Sequence, residues 1–175
     1  MPPLFETVTD LAAGADILRR RPYGVIEIAD GQLHRIVLRP WPKLVCWPQM
    51  AMFQRWPALR GRGDACRLYY NQPRWHRNYL ALKYVVSTND ASFRSFRLAA
   101  IILDEIARIK RSDAILCDVA NARISDRLLT RWNWQPLRPD SIQRLFIKRF
   151  YGNYPATNSC HNHALSETAT FTLAE

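Results

Sequence analysis

The features this sequence lacks already narrow its function. No stretch approaches the ~20 apolar residues of a membrane-spanning helix; the densest apolar run, Leu98 to Leu103, stops at Asp104. Its four cysteines, Cys46, Cys66, Cys117 and Cys160, lie far apart with no C-x-x-C pair, which favours free thiols over a disulfide framework. The lone Cys/His cluster, Cys160-His161-Asn162-His163, sits in a polar segment, and neighbouring residues rarely complete a four-ligand zinc site; no metal is expected. There is no Walker loop, no strand-linked G-x-G-x-x-G and no H-E-x-x-H, which disfavours P-loop, dinucleotide and zincin readings. Lysine is scarce, four against 21 arginines. The longest like-charge run is Arg19-Arg20-Arg21, so a basic disordered arm is absent. The start, Met1 to Glu6, shows no basic segment followed by an apolar one, so a secretory signal is not expected and the expected compartment is the cytoplasm.

What is present is a globular composition. The chain has 175 residues, 48% of them hydrophobic and 23% charged, enough to bury one core. Lys+Arg is 25 against 15 Asp+Glu, a formal charge of +10. Such a balance favours polyanions: nucleic acid, an acidic protein surface or a phosphorylated cofactor. Equally, it fits an arginine-rich solvated face.

The periodicity divides the chain. Residues 1 to about 39 read as a helix over Leu4 to Leu18, then a hairpin of Tyr23 to Ile28 and Leu33 to Leu38 turning at Asp30-Gly31. Residues 40 to 77 hold nine prolines and tryptophans between Pro40 and Trp75, which predict short strands, loops and one short helix near Gln49 to Arg55. Those tryptophans suit base stacking, or packing beneath irregular loops. From residue 78 the pattern sharpens. Tyr79 to Val86 reads as a strand, Ser92 to Arg111 as a long helix, and Ala114 to Val119 as a buried strand. Asn121 is the expected cap of a second helix carrying Ile124, Leu128 and Trp132, and Trp134 to Leu137 and Arg144 to Tyr151 read as closing strands. On the long helix Arg94, Arg97, Asp104, Arg108 and Arg111 form one narrow wet stripe. The step from strand through helix to strand implies parallel neighbours after an antiparallel first half. The expectation is a single α/β domain over 1–151, a mixed, mostly antiparallel sheet with helices on both faces. Residues 152–175 turn polar and small and read as a disordered tail.

Residues 78 to 151 resemble the second half of the GNAT (N-acetyltransferase) superfamily. The likeness lies in the strand Tyr79 to Val86, the helix ending Asp104-Glu105-Ile106-Ala107-Arg108, the strand Ile115 to Val119, and Asn121 through Trp134. Leu128-Leu129-Thr130-Arg131-Trp132-Asn133-Trp134 stands where the family has a pattern like Leu-Tyr-x-Lys-x-Gly-Phe. Asn133 replaces the glycine, and Asn tolerates the left-handed helix cap. The resemblance implies transfer of an acyl group from acetyl-CoA or another acyl-CoA to an amine substrate. It places Arg94, Ser95, Arg97 and Asn121 on the cofactor side and backbone near Val86 along the pantetheine.

Two departures stand out. The family's glycine-rich phosphate loop would fall at Ala91-Ser92-Phe93-Arg94-Ser95-Phe96, which has no glycine, and the frequent tyrosine acid would fall at Leu129. Two arginines in the first turns of a helix oppose its dipole, which makes sense with an anion there, or as part of the wet stripe. Arg60-Gly61-Arg62-Gly63-Asp64-Ala65 fits the glycine motif better, but Pro73 leaves no room for the long helix that should follow, so it reads as a basic loop. Glu27, Asp118 and His76 are conceivable general bases. The alternative on the same scaffold is a non-catalytic basic module for nucleic acid or an acidic partner.

Overall fold

The computed structural model describes residues 4–41, 63–88, 90–119, 124–138 and 144–155. The expected short helix near Gln49–Arg55, Asn121 and the Cys160–His163 cluster lie outside them, as do residues 156–175.

The first hairpin forms as its pattern demands. Strands β2 (Tyr23–Ala29) and β3 (Gln32–Arg39) pair antiparallel, and Asp30 and Gly31 both take positive φ, 52° and 68°, as a tight two-residue turn requires. The helix expected over Leu4–Leu18 is overturned. Thr7 and Val8 lie in β1 (Glu6–Val8), an edge strand against β3, with Thr7 opposite Val37. β-branched residues suit an open sheet edge. The Asp10 carboxylate then accepts the Ala12 and Ala13 N–H groups at 2.7 and 3.3 Å, turning the chain, so α1 (Ala15–Arg20) begins only after Gly14.

Strand β4 (Ala65–Asn71) emerges from the Pro/Trp-rich part and is the centre of the first half, between β2 and β5 (Tyr79–Ser87). Helix α2 (Phe93–Lys110) follows β5. The Ser92 side chain caps it by accepting the Ser95 N–H, and Arg111 closes it in the left-handed conformation. Strand β6 (Ala114–Asp118) returns parallel to β5. Helix α3 (Asp126–Arg131) is capped by Ser125, which displaces Asn121 from the role the sequence suggested: the Ser125 hydroxyl accepts the Leu128 N–H. Strands β7 (Gln135–Pro136) and β8 (Leu145–Arg149) finish an eight-stranded sheet in the order β1-β3-β2-β4-β5-β6-β8-β7. Among the described strands only β5 and β6 run parallel, so the fold is the mixed, mostly antiparallel α/β sheet expected.

One face of this sheet carries the core. Ile26, Ile36, Leu68, Leu80 and Ile115 point toward Leu103 and Ile106 of α2, and Leu18 of α1 and Leu129 of α3 join the same cluster. All three described helices share that face, so among the described residues the expected helices on both faces are not seen. The packed chain runs past residue 151: Tyr154 stacks on Phe150 and its hydroxyl donates to the Ser112 carbonyl at 3.0 Å. No helix among the described residues is long and apolar enough to cross a membrane.

The sequence misplaced one member of the wet stripe. Asp104 turns inward, and its carboxylate accepts from Lys148 Nζ at 2.6 Å. Arg94, Arg108 and Arg111 stay exposed. Tyr70 is buried beside Gly24, where an added Cβ would stand 2.6 Å from its ring, so only glycine fits there. The Tyr70 hydroxyl has no hydrogen-bond partner, and a buried unpaired hydroxyl costs about 1–3 kcal/mol. Tyr70→Phe is therefore expected to leave stability unchanged or raise it by about 1 kcal/mol, measured by urea unfolding.

Candidate functional site

The two parallel strands do not stay together. Register between β5 and β6 runs from Tyr79 opposite Ala114 to Leu82 opposite Cys117, and ends there. Beyond it β5 continues with β4 alone to Ser87, while β6 reaches Asp118 paired with β8. The divergence has a local cause. Tyr69 faces Tyr84 and Tyr70 faces Leu82, so Lys83 is one residue too many, a β-bulge. A bulge bends its strand and re-aims the chain beyond it. The result is a notch between the carboxyl ends of two parallel strands, and crevices of this kind are where open α/β sheets take ligands.

The notch is bordered by the starts and ends of helices. Chain leaving β5 enters α2 within a few residues, so the head of α2 stands at this end. Phe93 and Phe96, on its first turn, pack against Trp132 at the end of α3, with ring centroids 5.2 and 5.5 Å apart. Phe93 keeps half its surface exposed. Aromatic and apolar walls of this kind suit the carbon chain of a ligand.

The head of α2 is already engaged. The Asp64 carboxylate accepts the Ser92 N–H at 2.8 Å, the Ser95 hydroxyl at 2.7 Å, and the Ser92 hydroxyl. Burial raises the Asp64 pKa, but the Ser92 and Ser95 hydrogen bonds and Arg94 outweigh it, and the net shift is downward. Asp64 is therefore an anion. The segment carrying it is clamped independently of its side chain: Asp30 N–H donates to the Asp64 carbonyl at 2.8 Å, and Thr88 Oγ1 donates to the Gly63 carbonyl at 2.7 Å. Ser92, Ser95 and Arg94 of this helix start thus do face an anion, and it is the chain's own carboxylate. Sequence reasoning missed Asp64 because it lies 28 residues from Ser92 in a loop set aside on other grounds. The signal was present, since the better-fitting glycine motif contained it.

The remaining sequence candidates scatter. Ser95 is buried, and its hydroxyl also accepts the Gly31 N–H at 3.2 Å. Arg94 is exposed over Gly31, and Arg97 is half-buried one turn on. Val86 lies on the diverged part of β5, opposite Arg67. Asn121 lies outside the described residues. Of the three conceivable bases, His76 precedes β5 and so stands at the far end of the strand. Glu27 lies mid-strand, held between Arg35 at 2.7 Å and Arg67 at 3.1 Å. Asp118, at the carboxyl end of β6, alone stands at the notch. Cys117 stands at its root, but burial and then Asp118 push its thiol up to about 12, so it is not a thiolate nucleophile at neutral pH. A separate cleft of about 650 Å³ lies between residues 9–19 and the last turns of α2, near Arg108 and Arg111, at the opposite end of that helix. No three His, Cys, Asp or Glu side chains among the described residues are grouped to hold a metal.

No protein-family model matches the chain, and no curated protein matches it. Among solved structures, that of nourseothricin acetyltransferase aligns with 83% of this chain and 96% of its own, at 10% sequence identity and a TM-score of 0.38.

Proposed function

We propose that this protein transfers an acyl group from a thioester donor of the acyl-CoA kind to an amine, with the donor's pantetheine arm lying in the notch. One observation carries the reading: β5 and β6 part after Leu82 and Cys117, with a bulge at Lys83, leaving the β6-facing edge of β5 unpaired with any strand among the described residues. Peptide groups at a sheet edge seek partners, and the amides of a pantetheine arm are chemically like those of a strand. An arm laid there puts its thioester at the root of the notch. The amine nitrogen attacks the thioester carbonyl, the C–N bond forms, the C–S bond breaks, and the thiolate leaves to take up a proton. With Cys117 held as a thiol, attack is direct and no acyl-cysteine forms. In this reading Asp118, at the carboxyl end of β6, accepts the amine's proton.

The test is thermal unfolding with and without acetyl-CoA at low and moderate salt. A ligand bound only by the folded state stabilises it, by about 2.7 kcal/mol at 100 times Kd. The expected result is a rise in midpoint that survives moderate salt, because edge hydrogen bonds and aromatic walls hold the arm. No rise at millimolar acetyl-CoA overturns the reading. Strong binding of nucleic acid, falling steeply with salt, would favour the basic-module alternative instead.

A further inference from the structure

We infer that Asp64 sets the donor preference of the notch: its carboxylate fills the anion-accepting head of α2, so a thioester donor is held by its pantetheine arm and gains nothing from its phosphates. The inference rests on the acyl-transfer reading and deepens it. A helix start offers free N–H groups and a positive dipole end, and is a ready seat for phosphate. Here part of the seat is taken. Ser92 N–H and the Ser92 and Ser95 hydroxyls go to Asp64, and Ser95 N–H goes to Ser92 Oγ.

Electrostatics oppose a second anion. Arg94, an exposed cation, already faces the Asp64 charge. A diphosphate brought to this point would meet a fixed carboxylate, with the donors of Ser92 and Ser95 already engaged. Nor does the carboxylate readily swing away. Its backbone is fastened on one side to the β2–β3 turn through Asp30 and on the other to the end of β5 through Thr88. The same fastening means that the loop stays in place when the side chain is changed, so a neutral variant tests charge rather than folding.

The experiment is isothermal titration of the wild-type chain and of Asp64→Asn with two probes: acetyl-CoA, and S-acetylpantetheine, which carries the thioester arm without phosphates. The wild-type chain is expected to bind the two within about threefold. Asp64→Asn is expected to bind acetyl-CoA about tenfold more tightly, the scale of removing one opposed charge near a surface, and S-acetylpantetheine unchanged. Asp64→Ser serves as the second neutral variant if Asp64→Asn folds poorly. A wild-type preference for acetyl-CoA of tenfold or more overturns the inference, because the helix head would then be open to phosphate; the acyl-transfer reading survives that result. A folded neutral variant with no gain for acetyl-CoA overturns it likewise. If neither probe binds either chain, the notch itself is not a donor site and both readings fall together.

Discussion

Lys148→Met is expected to destabilise the fold by about 3–5 kcal/mol, the cost of stranding one partner of a buried ion pair. Lys148 of β8 and Asp104 of α2 expose only 10% and 13% of their side chains, and their charged atoms lie 2.6 Å apart. The Lys148 ammonium also lies 5.9 Å from the centre of the Phe150 ring. Burial pushes the Asp104 carboxyl up from its ordinary range, and Lys148 opposes that. Without Lys148 only the upward push remains, so Asp104 will hold its proton to higher pH. A group whose folded pKa is raised contributes stability below its unfolded pKa and loses it as pH rises through the folded one. The deficit of Lys148→Met relative to wild type should therefore shrink on acidification. Urea unfolding across pH checks both size and sign. Asp104→Leu combined with Lys148→Met should recover most of the loss, since apolar replacement of both partners is often neutral or better; a double variant as weak as the sum of the singles would refute the pairing.

Trp134→Ala is the second large effect, expected at about 3–5 kcal/mol from the large cavity it leaves. Trp134 is 4% exposed and belongs to the single core cluster with Leu129 and Phe146. Its position is set by the residue before it. Asn133 takes φ 62°, reversing the chain after α3, and the Trp134 N–H returns to the Leu129 carbonyl at 3.0 Å. That 6→1 bond is the mark of a Schellman-type helix end. The cap and the core contact can be separated. Asn133→Gly keeps the reversal and the tryptophan, and should change stability by no more than about 1 kcal/mol. Denaturant unfolding of the two variants side by side decides the matter: comparable losses would place the energy in the turn rather than in the buried indole.

Local pattern alone determined much of this protein. The apolar runs Tyr23–Ile28 and Leu33–Leu38 flank Asp30-Gly31, so the hairpin and its turn followed. The long helix announced its own ends, because Ser92 and Arg111 act through bonds to residues three or four away. The left-handed place of Asn133 was suggested by the family resemblance, where it stands for a glycine. Each of these depends on neighbours within a few residues.

What the sequence could not settle involves partners far along the chain. The Leu4–Leu18 helix failed because β1 exists only where β3 offers an edge about 30 residues away. Asp104 looked solvated because helical spacing is blind to Lys148, 44 residues on. The notch depends on where pairing between β5 and β6 stops and on one surplus residue in β5, a register fact with no local signature. Asp64 is the sharpest case. Helix-dipole reasoning left two readings for the head of α2, an anion or a solvated stripe; only the tertiary structure decided that the chain supplies a carboxylate there, by pinning a loop from the start of β4 against Ser92 and Ser95.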